Sequence, residues 1–286
     1  MSYLDRIATC HRWDPDAYRP FTVEDRTLGR VNHGLARRLT DYPKVFQVSE
    51  LAVSLNPDLA DFDARTQAVR EVLVQLRDAG DIPRWRNEDY PLVRRWGDPP
   101  FLKMERGAVP LFGARGFGVH VNGYVMRPDG LHLWVGRRSK TKQAAPGKLD
   151  HLVAGGQPYG LGIVENVIKE AGEEAGLAPE LAQRAVSVGA ISYICERAGE
   201  GLRDDVLFCF DLEMPVEAVP RNTDGEVESF ELWPMTRVLE TIRDTEDFKF
   251  NVNLVILDFA IRRGLLTPDD PHYQEIWEGL HLPSAL

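Results

Sequence analysis

PGKLDHLVAGGQPYGLGIVENVIKEAGEEAGL, residues 146–177, is a glycine-rich loop feeding a helix that carries three glutamates near its end. The spacing predicts a helix from about Gly162 to Gly176, the latter suited to a left-handed cap. Val164, Val167, Ile168, Ala171 and Ala175 recur at helical spacing and form one apolar stripe toward a core. Glu170, Glu173 and Glu174 stand at i, i+3 and i+4, so their carboxylates share a face. Three like charges near a helix C-terminus repel one another and oppose the helix dipole. Taken alone, such a run is most often a solvated acidic face. The loop GGQPYGLG shifts the reading, because glycine lets backbone approach a ligand closely. A hard divalent cation with oxygen ligands offsets the repulsion, and it also neutralises a diphosphate lying against the loop.

The stretch resembles the Nudix box, Gly-x5-Glu-x7-Arg-Glu-U-x-Glu-Glu-x-Gly-U, with U a bulky apolar residue. Gly155 matches the opening glycine, and Glu170, Glu173 and Glu174 match the last three glutamates. Gly176 and Leu177 match the close. Leu161 stands where the box has its first glutamate, Lys169 where it has arginine, and Ala171 is a small version of the apolar position. GVHVNGYV (118–125), PGKLDHLVAGG (146–156), DGEVESFEL (224–232) and FKFNVNLVILDF (248–259) resemble one branch, the thiamine-diphosphate-related Nudix proteins. That domain also occurs fused ahead of fungal thiamine pyrophosphokinase. The branch carries an extra N-terminal domain, and FDARTQAVREVLVQLRDAG (62–80) with WRNEDYPLV (85–93) looks like it. In this branch the helix tends to carry Lys-Glu, so Lys169 reads as a family variant.

The resemblance implies an α/β (α+β) fold, a Nudix α/β/α sandwich with a central mixed sheet, preceded by a smaller α+β domain. Residues 1–113 are expected to form the first unit and 114–286 the hydrolase. It also implies a Mg2+-dependent pyrophosphohydrolase, with Mn2+ as a substitute, cleaving thiamine diphosphate or its oxidised or damaged analogues to the monophosphate and phosphate. Glu170, Glu173 and Glu174 would hold the cation. Glu170, Glu174 and Glu226 would serve catalysis, Glu226 (with Glu228 second) as the acid drawn from Asp224–Glu228 to activate water. Gly155, Gly156, Arg138 and Lys142 would bind substrate, the last two as a phosphate clamp from the basic run 137–148. A lysine at 169 cannot reproduce the arginine fork, but it can pair with Glu165 or Glu173, each one turn away. A non-catalytic diphosphate-binding module and an isopentenyl-diphosphate-isomerase-like enzyme are the alternatives. The latter wants a reactive cysteine, and neither Cys195 nor Cys209 sits in a Cys-x-His-Pro setting.

Composition sets wider bounds. A net charge of -10 argues against nucleic acid as the main partner. No stretch approaches a membrane span in length. The resemblance implies a small-molecule diphosphate as the partner, with a homodimer left open. The three widely spaced cysteines show no disulfide framework. Together with an N-terminus lacking a secretory pattern, they lead to the expectation of a cytoplasmic protein.

Along the chain, a helix is expected at 3–10, a strand at 45–55 and a helix N-capped by Asp63 with Val69, Val72, Leu73 and Leu76 inside. Gly80 ends that helix, and 90–96 is a strand. Trp85, Arg86 and Glu88 are placed to face a ligand at the junction, although tryptophan is more often packed. Past LFGARGFG (111–118), strands are expected at 117–126 and 131–138 around the turn Pro128-Asp129-Gly130. Further strands are expected at 186–195, 205–214 and 226–233, and helices at 235–243, 252–263 and 269–278.

Overall fold

The computed structural model describes residues 2–142 and 144–282. Helix α1 (Tyr3–Thr9) opens the chain with a reciprocal cap between Ser2 and Asp5. Strands β1 (Tyr18–Val23) and β2 (Arg26–Asn32), helix α2 (His33–Leu39) and strands β3 (Phe46–Val48) and β4 (Val53–Leu55) follow, giving a sheet ordered β2-β1-β4-β3. The single strand expected at 45–55 is thus two short ones. Ser49 turns the chain there, its hydroxyl accepting the N–H groups of Leu51 and Ala52. Helix α3 (Phe62–Asp78) is capped by Asp61 rather than Asp63, with the Asp61 carboxylate 2.8 Å from the Ala64 N–H. Its stripe of Val69, Val72, Leu73 and Leu76 is buried as the spacing requires. Strands β5 (Asp89–Leu92) and β6 (Leu102–Glu105) make a separate antiparallel ribbon. All of this except α1 closes around one apolar core running from Phe21 to Ala114.

The second sheet begins with β7 (Arg115–Arg127) and β8 (Gly130–Arg138), joined by the expected tight turn at Gly130. Then come β9 (Leu149–Asp150), β10 (Val153–Gly156), α4 (Ile163–Ala175), α5 (Pro179–Ala182), β11 (Val186–Arg197), β12 (Gly201–Glu213) and β13 (Val227–Pro234). The order is β11-β12-β7-β8-β13, with β10 laid on β7 and β9 on β8. Only β12 and β7 run parallel, so the sheet is mixed. Alternation divides its two faces. Val119, Val121, Phe210 and Leu212 meet Val167, Ala171 and Ala175 of α4, whereas Leu133, Val135, Ile191 and Cys209 meet the C-terminal helices. Those are α6 (Met235–Asp244), α7 (Val252–Arg262) and α8 (Tyr273–Leu280). The architecture is an α/β/α sandwich.

Two departures have physical reasons. Every residue from Val252 to Ala260 of α7 is buried, so this helix needs cover on its outer side as well as the sheet. α1 supplies part of that cover: Ile7 and Cys10 join the same core as α6, α7 and α8. The first helix therefore packs with the second sheet, not with the segment that follows it. Helix α8 starts at Tyr273, later than expected, because Thr267 to Asp270 closes a turn on the Asp270 carboxylate.

Candidate active site

The glycine loop and α4 meet as the spacing foretold. α4 is preceded by Gly162 and ends on Gly176 in the left-handed region, with φ of 62°. A buried amide chain fastens loop to helix: Asn166 donates to the Gly156 carbonyl (2.8 Å) and to Gln157, and Gln157 donates to the Leu161 carbonyl. Gly155 lies directly under the Glu170 carboxylate, where a Cβ would come within 2.7 Å of its Oε2. At Gly156 a Cβ would meet the Tyr90 hydroxyl and, at 3.0 Å, the Arg106 guanidinium. Gly155→Ala is therefore expected to push Glu170 off the strand and lower activity about tenfold or more. An assay beside a Gly172→Ala control, where the nearest atom to a Cβ is the Leu177 carbonyl at 3.9 Å, checks this.

The three glutamates sit in different settings. Glu174 is buried, and its Oε2 accepts the Ala154 N–H of β10 at 2.9 Å. Burial pushes its carboxyl up to about 7, against the pull of the Ala154 N–H and of Lys142. Glu170 is mostly shielded, and burial raises its pKa while Lys169 and Arg106 draw it back. Glu173 points outward and pairs with Lys169 at 2.7 Å. Lys169 thus joins Glu173, as its spacing allows, and Glu170, while Glu165 turns to the Gly162 N–H. Val164, read as part of the inner stripe, is exposed in the first turn.

The other expected residues converge on the same place. Lys142 pairs with Glu226 and stands 3.8 Å from Glu174 Oε1. Its pKa is lowered by burial, which Glu174 opposes. Glu226 is thereby brought across one ammonium from the helix, while Glu228 is exposed on β13. Arg138 is buried and already engaged: it donates to Asp150 (2.6 Å) and to the carbonyls of Ala144 and Ala145. It holds the loop after β8 through these bonds.

Among the described residues, no group of three His, Cys, Asp or Glu is gathered to hold a metal. Lys142 and Lys169 each close on two of the carboxylates. The donor chemistry nonetheless fits a hard cation. Glu170 and Glu174 are carboxylates whose charge is disfavoured by burial, beside a glycine strand that leaves backbone within reach.

Asp150, Lys249, His120 and His151 had no signal of their own in the sequence. Asp150 is buried between Arg138 and Lys249 (3.7 Å), and although burial raises its pKa, Lys249 and Arg138 hold it well below the carboxylate range. His120 and His151 meet edge-on at 4.9 Å, both buried and with depressed pKa values, His151 at about 4. Both are therefore neutral near pH 7.

A cleft of about 200 Å3 opens from Gly155 and Gly156 toward the N-terminal ribbon. Arg138, Lys142, Arg203 and Lys249 line it from the sheet side, Arg84, Arg86 and Arg106 from the other, and Phe117 and Phe250 give it apolar surface. Glu200 and Asp205 are its only acidic lining among the described residues, and both are taken up by Arg84 and Arg203. A basic cleft in a chain of net charge -10 selects an anion locally, whatever the overall field.

The thiols do not contribute. Cys10, Cys195 and Cys209 are buried and free, and burial pushes the Cys195 thiol up to about 12. The isomerase alternative thus lacks its reactive cysteine.

A family model described as a domain of unknown function (DUF4743) matches residues 2–116. The chain is 42% identical over 282 residues to Nudix hydrolase 24, chloroplastic, of Arabidopsis thaliana, covering 97% of this chain and 77% of that protein. It is 40% identical over 289 residues to Nudix hydrolase 20, chloroplastic, of the same plant, with the same coverage. The solved structure of DR0079 from Deinococcus radiodurans superposes with a TM-score of 0.45 at 20% identity, covering 60% of this chain and 98% of that one. The plant relatives correct the expectation of a cytoplasmic protein: both bear the word chloroplastic. The lack of a disulfide framework does not single out the cytosol. On the identity and extent of these matches, the chain belongs to the Nudix hydrolases, enzymes that hydrolyse phosphoanhydrides.

Proposed function

We propose that this chain is a Mg2+-dependent pyrophosphohydrolase, also served by Mn2+, that cleaves thiamine diphosphate or its oxidised or damaged analogues to the monophosphate and phosphate. The observation that carries the reading is the basic cleft ending at Gly155 and Gly156, beside the shielded carboxylates of Glu170 and Glu174. The thiamine-type substrate is supported by the resemblance of the segments at 118–125, 146–156, 224–232 and 248–259 to that branch. Phe117 and Phe250 offer apolar surface for a ring. In this reading residues 114–286 form the hydrolase and residues 1–113 the added unit, with α1 lent to the hydrolase core.

Glu170 and Glu174, with Glu173 at the rim, would hold the cation. Bound there, Mg2+ supplies neutralisation of phosphoryl charge and an acidified water. Glu226 is the favoured acceptor of that water's proton, because it faces Glu174 across Lys142. Lys142, displaced from the carboxylates, has a phosphate oxygen as its natural partner. Arg138 fixes the loop that carries Lys142.

Purified protein with Mg2+ should release phosphate from thiamine diphosphate and its oxy analogues faster than from ADP-ribose or nucleoside diphosphates, and EDTA should abolish the reaction. Faster turnover of the nucleotides would discard the substrate and keep the reaction. Turnover undiminished in EDTA would discard the metal.

A further inference from the structure

We infer that the N-terminal unit is the second wall of the active site, and that its Arg86 and Arg106 bind the terminal phosphate of the substrate. This rests on the diphosphate-hydrolase reading and adds to it a role for the first hundred residues. Arg106 follows β6, and Arg86 lies in the loop between α3 and β5. One buried side chain joins the two loops: Glu105 Oε1 accepts the backbone N–H of Arg86 at 2.6 Å and that of Gly107 at 3.1 Å. The loops are packed so tightly that a Cβ on Gly107 would strike the Arg84 carbonyl. The two arginines are therefore presented together by a stiff support.

Arg106 touches the glycine strand itself, since its guanidinium and the Tyr90 hydroxyl fill the space over Gly156. Its charge is also felt by Glu170. The hydrolase site and the N-terminal ribbon thus share one surface at Gly156. The neighbouring Arg84 is neutralised by Glu200 at 2.7 Å. Arg106 has Glu88 at 2.8 Å as its carboxylate partner. The Arg86 guanidinium has no hydrogen bond or ion pair among the described residues. Burial and the charges of Arg106 and Arg84 all oppose its protonated form. Arg86 thus adds a charge to this cluster without a carboxylate partner of its own, and an anion arriving beside it stabilises the group. Guanidinium forks match phosphate oxygens in bidentate fashion. A terminal phosphate offers three free oxygens, one more than a phosphate esterified at both ends. The arrangement accordingly favours organic diphosphates with a free terminal phosphate.

The test is calorimetric titration of inorganic pyrophosphate into metal-free protein, wild type against Arg86→Gln, Arg86→Lys and Arg106→Gln. Each glutamine variant is expected to bind about tenfold or more weakly, with Arg86→Lys between it and wild type. KM for thiamine diphosphate should rise in step, while the melting temperature stays within a few degrees. Equal pyrophosphate affinity in folded Arg86→Gln and Arg106→Gln, or no binding by wild type, overturns the inference. Neither result touches the hydrolase reading, which the EDTA control decides. A wild-type preference for diphosphates esterified at both ends would also overturn the inference while leaving the hydrolase intact.

Discussion

Glu174→Gln is expected to lose hydrolysis by a factor on the order of 10²–10⁴, the range for removing an ionised group from an acid–base or metal-assisted step. It should do so without loss of stability. Glutamine keeps the shape of the side chain and an oxygen that accepts the Ala154 N–H. What it removes is a charge in a poor place. The Glu174 carboxyl has a pKa of about 7 in the folded chain against an ordinary 4.5, chiefly through burial. Between those values the folded protein holds a proton that the unfolded chain has released. The side chain's full stability is therefore present below pH 4.5 and is lost as pH rises through 7. That loss is on the order of 3 kcal/mol at most, from 1.36 kcal/mol per unit. In EDTA, Glu174→Gln should melt above wild type at pH 8, with the gap shrinking toward pH 4.5. Adding Mg2+ at pH 8 should raise the wild-type melting temperature and leave the variant unmoved. A variant with near-normal kcat, or one that still gains stability from Mg2+, would remove Glu174 from the metal site.

How far such a residue could be read in advance depends on the distance over which its setting is made. Helix α4 was legible because a helix is local. The spacing alone predicts one shared face for all three glutamates, whereas the structure separates Glu174 from Glu173. Val167, Ala171 and Glu174 stand at i, i+4 and i+7, so the stripe that buries the first two draws in the third. The same period turns Glu173 outward, and the structure has it exposed beside Lys169. Gly155 was legible too, since a glycine before an acidic helix marks a close approach. Its partner Glu170 lies only fifteen residues on. Asp150 stood in the quoted stretch, in PGKLDH, yet nothing near it in the chain shows that Lys249 will neutralise it. That pairing is made when the segment before α7 returns to β9, Leu149 N–H donating to the Asp247 carbonyl and Lys249 N–H to Leu149. The engagement of Arg138 was hidden for a related reason. A basic run beside a glycine loop looks like a clamp, and the carbonyls of Ala144 and Ala145 that occupy this guanidinium appear only once the loop is folded. Arg86 and Glu88 were singled out at a junction, but Arg106 was not. Its place over Gly156 depends on how β5 and β6 stack against the second sheet.

Asp150→Asn should be the most destabilising single polar change near the site. Asp150 is buried, with Arg138 at 2.6 Å and Lys249 at 3.7 Å. Its Oδ1 also accepts the His151 N–H at 2.9 Å. An asparagine preserves the volume and part of the hydrogen bonding but leaves two cations facing each other. Breaking a buried pair in this way costs about 3–5 kcal/mol. The lower end applies here, because Lys249 reaches the cleft and keeps some solvent. Against a total stability of roughly 5–15 kcal/mol, that is a large fraction. The dependence on pH has a fixed sign. A carboxyl held below its ordinary 3.8 contributes stability that is present above that value and is lost as pH falls through the lower folded value. The variant should therefore trail wild type by about 3 kcal/mol in urea unfolding at pH 7, and the difference should close as pH falls below 3.8. Activity would change through charge rather than contact. Asp150 raises the Glu174 pKa, and Lys249 already feels Glu174. Without Asp150, both effects favour the ionised form of Glu174, so the acid limb of the kcat profile should move to lower pH. A variant within about 1 kcal/mol of wild type at pH 7 would mean that Arg138 and Lys249 find other counter-ions. Asp150 would then be a bystander to the cleft rather than the anchor of its basic side.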